Sequence, residues 1–146
     1  MEIQLLKAGF AAEITDIDVR AGLDVDTHRR IEEALRECPV LCFRNQPIDD
    51  DHQQAFIQKF GPPFTTAATE ISGKGGLHPH LYDISTTDDD ARPVAANSMQ
   101  AVYLKANLLW HTDGTQVQPP LRVTALSART LPPVPPNTEY TDMRAA

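Results

Sequence analysis

Asn107-Leu108-Leu109-Trp110-His111-Thr112-Asp113-Gly114 is the stretch on which the reading of this chain turns. An apolar run leads into His-x-Asp. On an extended strand, residues two apart point the same way, so the imidazole of His111 and the carboxylate of Asp113 face one point. Non-haem iron(II) oxygenases hold their metal with two histidines and one carboxylate on one octahedral face and leave the other positions open. The pair therefore supplies two of three such ligands, and no histidine follows His111 to supply the third. With five His and twenty acidic residues among 146, about one His-x-acid match is expected by chance, so the tripeptide needs its flanks to carry meaning.

The chain has the length of one ordinary domain and is long enough to bury a core. A net charge of −7 argues against nucleic acid as a partner, because neutralising phosphates requires clustered Lys and Arg. No segment reaches the roughly 18 apolar residues of a membrane span, and the stretch from Met1 to Lys7 lacks a basic segment followed by a long apolar core. These features exclude a membrane partner and point to the cytoplasm. Cys38 and Cys42 are four apart around Pro39, a spacing that fits neither a Cys-x-x-Cys motif nor a disulfide scaffold, and both read as free thiols packed in the core.

Alternation over Ala11 to Val19 predicts a first strand. Asp24, Asp26 and Thr27 supply N-cap candidates for a helix with Ile31, Ala34 and Leu35 on one face, ending at Pro39. Val40-Leu41-Cys42-Phe43 is a continuous apolar run, as in a strand covered on both faces. Asp50 and Gln53 stand at capping-box spacing at the head of a second helix, which carries Ala55, Phe56 and Phe60 and stops at Gly61-Pro62-Pro63. Phe64 to Gly76 reads as a loop. His80 to Ser85 predicts a strand and Thr86 to Ala96 a second loop. Further strands are expected at Leu108 to His111, at Leu121 to Ala128 and at Thr138 to Tyr140, with Pro132-Pro133 and Pro135-Pro136 breaking the chain between the last two. Asp142 reads as the N-cap of a helix that Ala146 cuts short, so the chain reads as truncated.

Several stretches occur in a fixed order. Near the start are Gly9-Phe10-Ala11-Ala12-Glu13-Ile14, Asp16-Ile17-Asp18-Val19-Arg20, and Val40-Leu41-Cys42-Phe43-Arg44-Asn45-Gln46-Pro47. These are followed by Gln53-Gln54-Ala55-Phe56, Phe60-Gly61-Pro62, the His111 stretch, Leu126-Ser127-Ala128 and Asn137 to Ala146. In this order they resemble the taurine dioxygenase and dichlorophenoxyacetate dioxygenase family of iron(II), 2-oxoglutarate-dependent enzymes. The likeness covers nearly the whole chain except Phe64 to Ala106. It implies an α/β, mostly β fold: the N-terminal portion of a double-stranded β-helix, or jelly roll, with two flanking helices. Residues 1–146 would form an incomplete dioxygenase domain that lacks the distal His and Arg segment.

The resemblance also implies roles. His111 and Asp113 match the family's first two iron ligands, Thr138 matches a threonine that hydrogen-bonds a carboxylate of 2-oxoglutarate, and Asn107 matches an asparagine beside the substrate. Where relatives carry Gly-Gly before that threonine, this chain has Pro135-Pro136, which cannot enter the positive-φ conformations glycine permits. Fe(II) is the implied metal, 2-oxoglutarate the cosubstrate, and oxygen and a small organic acid the further reactants. The acid would be an aryloxyalkanoate undergoing ether cleavage or a sulfonate, with Leu126-Ser127-Ala128 and Thr141 to Ala146 closer to the former. Trp110, pointing away from the metal by strand alternation, is assigned to core packing.

Two other readings stand beside this one. A noncatalytic truncated jelly roll, or a half-domain that depends on a partner, would follow from the missing ligand, with exposed strand edges promoting association or homo-oligomers. A zinc hydrolase would need His78 or His80, of His78-Pro79-His80, to join His111 and Asp113.

Overall fold

The chain reverses at Lys7 to Phe10 because Gly9 takes φ 67°, a left-handed conformation that costs a residue without Cβ little. The N–H of Phe10 donates to the Lys7 carbonyl at 3.0 Å and closes the turn. It joins β1 (Glu2–Lys7) to β2 (Ala11–Thr15), which pair antiparallel with Ile3 opposite Ile14 and Leu5 opposite Ala12. The computed structural model describes residues 1–64, 80–88, 90, 92–115, 117–134 and 137–145. The chain forms two compact units, Met1–Lys59 with Ala125–Ala146, and Phe60–Thr124.

In the first unit, β2 is central. It pairs with β1 on one edge and runs parallel to β3 (Val40–Phe43) on the other. A parallel neighbour requires a crossover, and α1 (Val25–Glu37) provides it. Asp24 caps α1 by accepting the Thr27 N–H at 2.8 Å. Ile31 and Ala34 of the helix and Cys38 at its C-cap are all buried, as are Ala12 and Ile14 on alternate positions of β2. Ile14 and Ile31 are the largest fully buried side chains described.

The strand at Ala11 ends at Thr15, earlier than the alternation to Val19 predicts, because Asp16 turns the backbone at φ 52°. A 3-10 turn follows at Val19–Ala21, capped by Asp18. The Gln46 amide stitches this turn to the exit of β3, accepting from Val19 N–H at 2.9 Å and donating to the carbonyls of Ile17 at 3.0 Å and Arg44 at 2.9 Å. The second helix, α2 (Asp50–Ile57), is capped by Asp49 rather than by Asp50, with the Asp49 carboxylate accepting the His52 N–H at 2.9 Å. Phe56 of α2 meets Phe43 of β3 edge-on, ring centroids 5.3 Å apart. Cys38 is buried, Cys42 half-buried, and both thiols are free.

The α/β class and the two helices flanking the sheet hold, while the described residues contain only a three-stranded sheet and are not mostly β. The segments predicted as jelly-roll strands at His80–Ser85, Leu108–His111, Leu121–Ala128 and Thr138–Tyr140 are irregular. Their residues have no ladder partner among the described residues, and a strand without partners does not persist in water. Part of the backbone is instead held by side chains. Arg129 donates to the Ile48 carbonyl, to Asp50 at 3.1 Å and to Gln53 at 2.7 Å, while Gln53 donates to the Ala125 carbonyl at 3.2 Å.

Asp142 caps a single turn, accepting the Arg144 N–H at 3.0 Å. The loop expected from Phe64 to Gly76 lies outside the described residues beyond Phe64. In the second unit the loop at Thr86 contains one bridge, Thr87 with Pro93. The unforeseen element there is α3 (Met99–Ala106), capped by Ser98, whose hydroxyl accepts the Ala101 N–H at 3.1 Å. No helix among the described residues is long and apolar enough to cross a membrane.

Replacing Ile31 by Ala is expected to destabilise the protein by about 2–5 kcal/mol through the cavity it leaves, read as a lower midpoint in urea unfolding. A second expectation concerns acid. The Arg144 guanidinium and N–H hold the Asp142 carboxyl down at about 2, against an ordinary value of 3.8. A depressed carboxyl stabilises the fold above its unfolded pKa, and that contribution is lost as pH falls through the folded one. The stability difference between the wild type and Asp142→Asn should therefore be full near neutral pH and shrink between pH 3.8 and about 2. Thermal melts across that range check it; a difference that does not vary with pH contradicts it.

Candidate metal centre

The His111 stretch follows directly from α3. Asn107 closes the helix, its N–H donating to the Tyr103 carbonyl at 3.1 Å, and the turn tightens through Leu108 N–H to Lys105 at 3.2 Å and Leu109 N–H to Ala106 at 3.0 Å. The helix is braced from one side: Tyr82 meets Tyr103 edge-on at 6.2 Å between centroids, and the Gln100 amide donates to the Ser85 carbonyl at 3.2 Å. Burial is the main cause that pushes the Tyr82 phenol up, with Tyr103 and Asp83 adding to it. The stretch expected as a strand at His80–Ser85 thus serves as a support for α3.

The tightened turn leaves the Leu109 carbonyl 2.7 Å from His111 Nδ1. A carbonyl only accepts, so Nδ1 carries a proton, and in the neutral ring the lone pair is then on Nε2. That nitrogen lies 3.4 Å from Asp113 Oδ1, and both side chains are open to solvent, 47% and 55% exposed. Adjacent ligands about 2.1 Å from an octahedral ion lie about 3 Å apart, so the pair fits two neighbouring positions on one metal. A metal-binding histidine commonly gives its other N–H to a backbone carbonyl, which fixes ring and tautomer. The structure thus brings His111 and Asp113 together, though in an irregular turn rather than on a strand.

Trp110 is not in the core. It is 67% exposed, as are Leu108 and Leu109 in large part, because the segment leaves a helix end instead of lying between sheets. Asn107 is exposed at the end of α3, and Thr138 is exposed in the other compact unit. Among the described residues no group of three His, Cys, Asp or Glu could hold a metal, so His80 does not complete the pair. His78 and Pro135-Pro136 lie outside the described residues. Sequence reasoning missed the Leu109 carbonyl, since a backbone acceptor leaves no signal in residue identity.

The profile described as Taurine catabolism dioxygenase TauD, TfdA family matches residues 2–146. The chain belongs to that family. It is 37% identical over 139 residues to the alpha-ketoglutarate-dependent 2,4-dichlorophenoxyacetate dioxygenase of Cupriavidus pinatubonensis, covering 94% of this chain and 48% of that protein. It is 30% identical over 147 residues to the (S)-phenoxypropionate/alpha-ketoglutarate-dioxygenase of Sphingobium herbicidovorans, covering 99% of this chain and 46% of that one. Among solved structures it is similar to AAD-2 in complex with Mn(II) and N-oxalylglycine, with a TM-score of 0.64 and 29% identity over 79% of this chain and 38% of that one. The chain spans about half the length of the curated relatives it matches.

Titration with Mn(II) is expected to broaden the His111 and Asp113 resonances first in NMR spectra. His111→Ala or Asp113→Ala should each weaken the ion's affinity by about tenfold or more. Unchanged affinity in either folded variant would remove the pair as a metal site.

Proposed function

We propose that residues 1–146 form the first part of an iron(II)- and 2-oxoglutarate-dependent dioxygenase domain acting on a small organic acid of the aryloxyalkanoate type. The observation that carries this reading is the convergence of His111 Nε2 and Asp113 Oδ1 at 3.4 Å, with Nδ1 engaged by the Leu109 carbonyl. His111 and Asp113 would be two metal ligands, and the third would come from the part of the domain that corresponds to the relatives' other half. Thr138 would donate its hydroxyl hydrogen bond to a carboxylate of 2-oxoglutarate, and Asn107 would lie beside the substrate. N-oxalylglycine, bound with Mn(II) in the solved relative, is an isostere of 2-oxoglutarate, which supports the cosubstrate assignment.

Bound iron(II) with 2-oxoglutarate and oxygen supplies the oxidising chemistry that hydroxylates a substrate C–H bond and releases succinate and carbon dioxide. This chain's own residues do the holding. The Leu109 carbonyl keeps the proton on Nδ1, which leaves Nε2 to the metal, and Asp113 contributes the anionic oxygen. The substrate class rests on the two relatives named for 2,4-dichlorophenoxyacetate and (S)-phenoxypropionate. Hydroxylation of the carbon bearing the ether oxygen would give a hemiacetal, whose C–O(aryl) bond breaks as the new hydroxyl becomes a carbonyl, giving the phenol, which takes the proton, and a 2-oxo acid.

The jelly roll belongs to the same proposal. Leu121 to Ala128 and its fellow segments keep strand patterning, and they would form ladders only with strands that the described residues do not provide. Association of copies through strand edges, β1 foremost with Ile3, Leu5 and Leu6 exposed, and a cytoplasmic setting also belong to it. A noncatalytic half-domain is the second reading, favoured by the two-ligand set among the described residues.

Joining residues 1–146 to the second half of the Cupriavidus relative separates the two. The folded chimera is expected to form succinate from 2-oxoglutarate and 2,4-dichlorophenol from 2,4-dichlorophenoxyacetate only with Fe(II), and His111→Ala should silence both. A folded, iron-loaded chimera that makes neither product would decide for the noncatalytic reading.

A further inference from the structure

Asp113 is held from behind by a feature that the ligand assignment does not use. Gly114, the next residue, has φ +63°, and a Cβ placed on it would overlap Cγ and Cδ1 of Leu121 and lie 2.7 Å from its Cβ. The Leu121 N–H also donates to the Gly114 carbonyl at 3.2 Å, which closes the intervening loop on itself. Within the same turn, Thr112 and Thr115 share a hydroxyl hydrogen bond of 3.2 Å. The turn that presents Asp113 to His111 is thus pinned at its far end, where a left-handed backbone and close approach of a side chain both demand glycine.

We propose that Gly114 is a positioning residue, seated against Leu121 so that the turn directs the Asp113 carboxylate toward His111 Nε2. The proposal rests on the reading of His111 and Asp113 as metal ligands. It separates two supports within the pair. The Leu109 carbonyl fixes the imidazole, and the Gly114–Leu121 latch fixes the carboxylate. Any side chain at Gly114 must either push Leu121 away or rotate the peptide that joins Asp113 to Gly114, and rotation turns the carboxylate off the metal.

The test is Mn(II) binding by the whole chain, followed by paramagnetic broadening, with the ring nitrogens of His111 observed by nitrogen-15 NMR. Gly114→Ala is expected to weaken Mn(II) by about tenfold while the Nδ1–H tautomer of His111 persists, because the Leu109 hydrogen bond lies on the other side of the pair. Adding Leu121→Gly removes all three atoms that the new Cβ would meet and should recover a substantial part of the lost affinity, the remainder being the strain of an alanine in the left-handed conformation; such coupling is not shown by independent sites. Leu121→Gly alone should stay within about twofold of the wild type, as expected of a change that leaves the Gly114 turn intact.

A merely structural role would lower the melting temperature of Gly114→Ala and leave the affinity of the folded fraction unchanged; that result overturns the proposal. If Gly114→Ala alone does not fold, the double variant should restore both folding and Mn(II) binding, and a double variant that restores neither overturns it as well. Wild type and His111→Ala binding Mn(II) alike would instead defeat the metal-ligand reading itself, and the latch with it.

Discussion

Both edges of β2 are hydrogen-bonded while Ala12 and Ile14 are shut off from water, and the first compact unit depends on this constraint. A central strand has no free backbone groups to satisfy elsewhere, so its neighbours must be present together. The parallel partner β3 cannot pair without a crossover, which makes α1 part of the same cooperative unit. Buried Ile31 and Ala34 on that helix, with Cys38 at its C-cap, supply the apolar surface that an amphipathic helix contributes to a sheet. Gln46 and Asp18 then settle the corner between β2 and α1 with polar contacts at the margin of the core.

The candidate metal centre is built on another principle. It lies at the end of α3, where the last carbonyls of a helix have no intrahelical donors. One carbonyl just beyond, that of Leu109, finds its donor in the imidazole two residues on. A backbone carbonyl in the turn that leaves the helix therefore contacts and orients a side chain, without a sheet beneath it. Solvent exposure of His111 and Asp113 keeps the pair accessible to an ion. Leu108, Leu109 and Trp110 remain exposed beside it.

Much of the first unit was legible. Asp24 as N-cap, the helical stripe through Ile31 and Ala34, and a strand at Val40–Phe43 all formed as their patterns predict, because each signal is local and each element found its partners nearby, although Val40–Phe43 is half-buried rather than covered on both faces. The errors have local causes too. Asp49 caps α2 where Asp50 was expected, since three consecutive aspartates offer the same chemistry in adjacent positions. β1 went unread because Glu2–Lys7 alternates only partly, and α3 because no strong periodicity marks Met99–Ala106. The later strand patterns misled because apolar alternation states what a segment would do with partners, and those partners are not among the described residues.

Residue order alone determined the chemistry of the pair. A histidine and an aspartate two apart in that flanking context specify an imidazole and a carboxylate within reach of one ion, and the family to which the chain belongs was readable from the same residues. Only the tertiary structure decided how the pair is presented. The turn from α3, the carbonyl that selects the imidazole tautomer, and the contact of Gly114 with Leu121 depend on backbone direction and on residues brought together across a loop. Side-chain identity is written in the sequence. The direction of a carbonyl, and the space behind a glycine, arise only when the chain has folded.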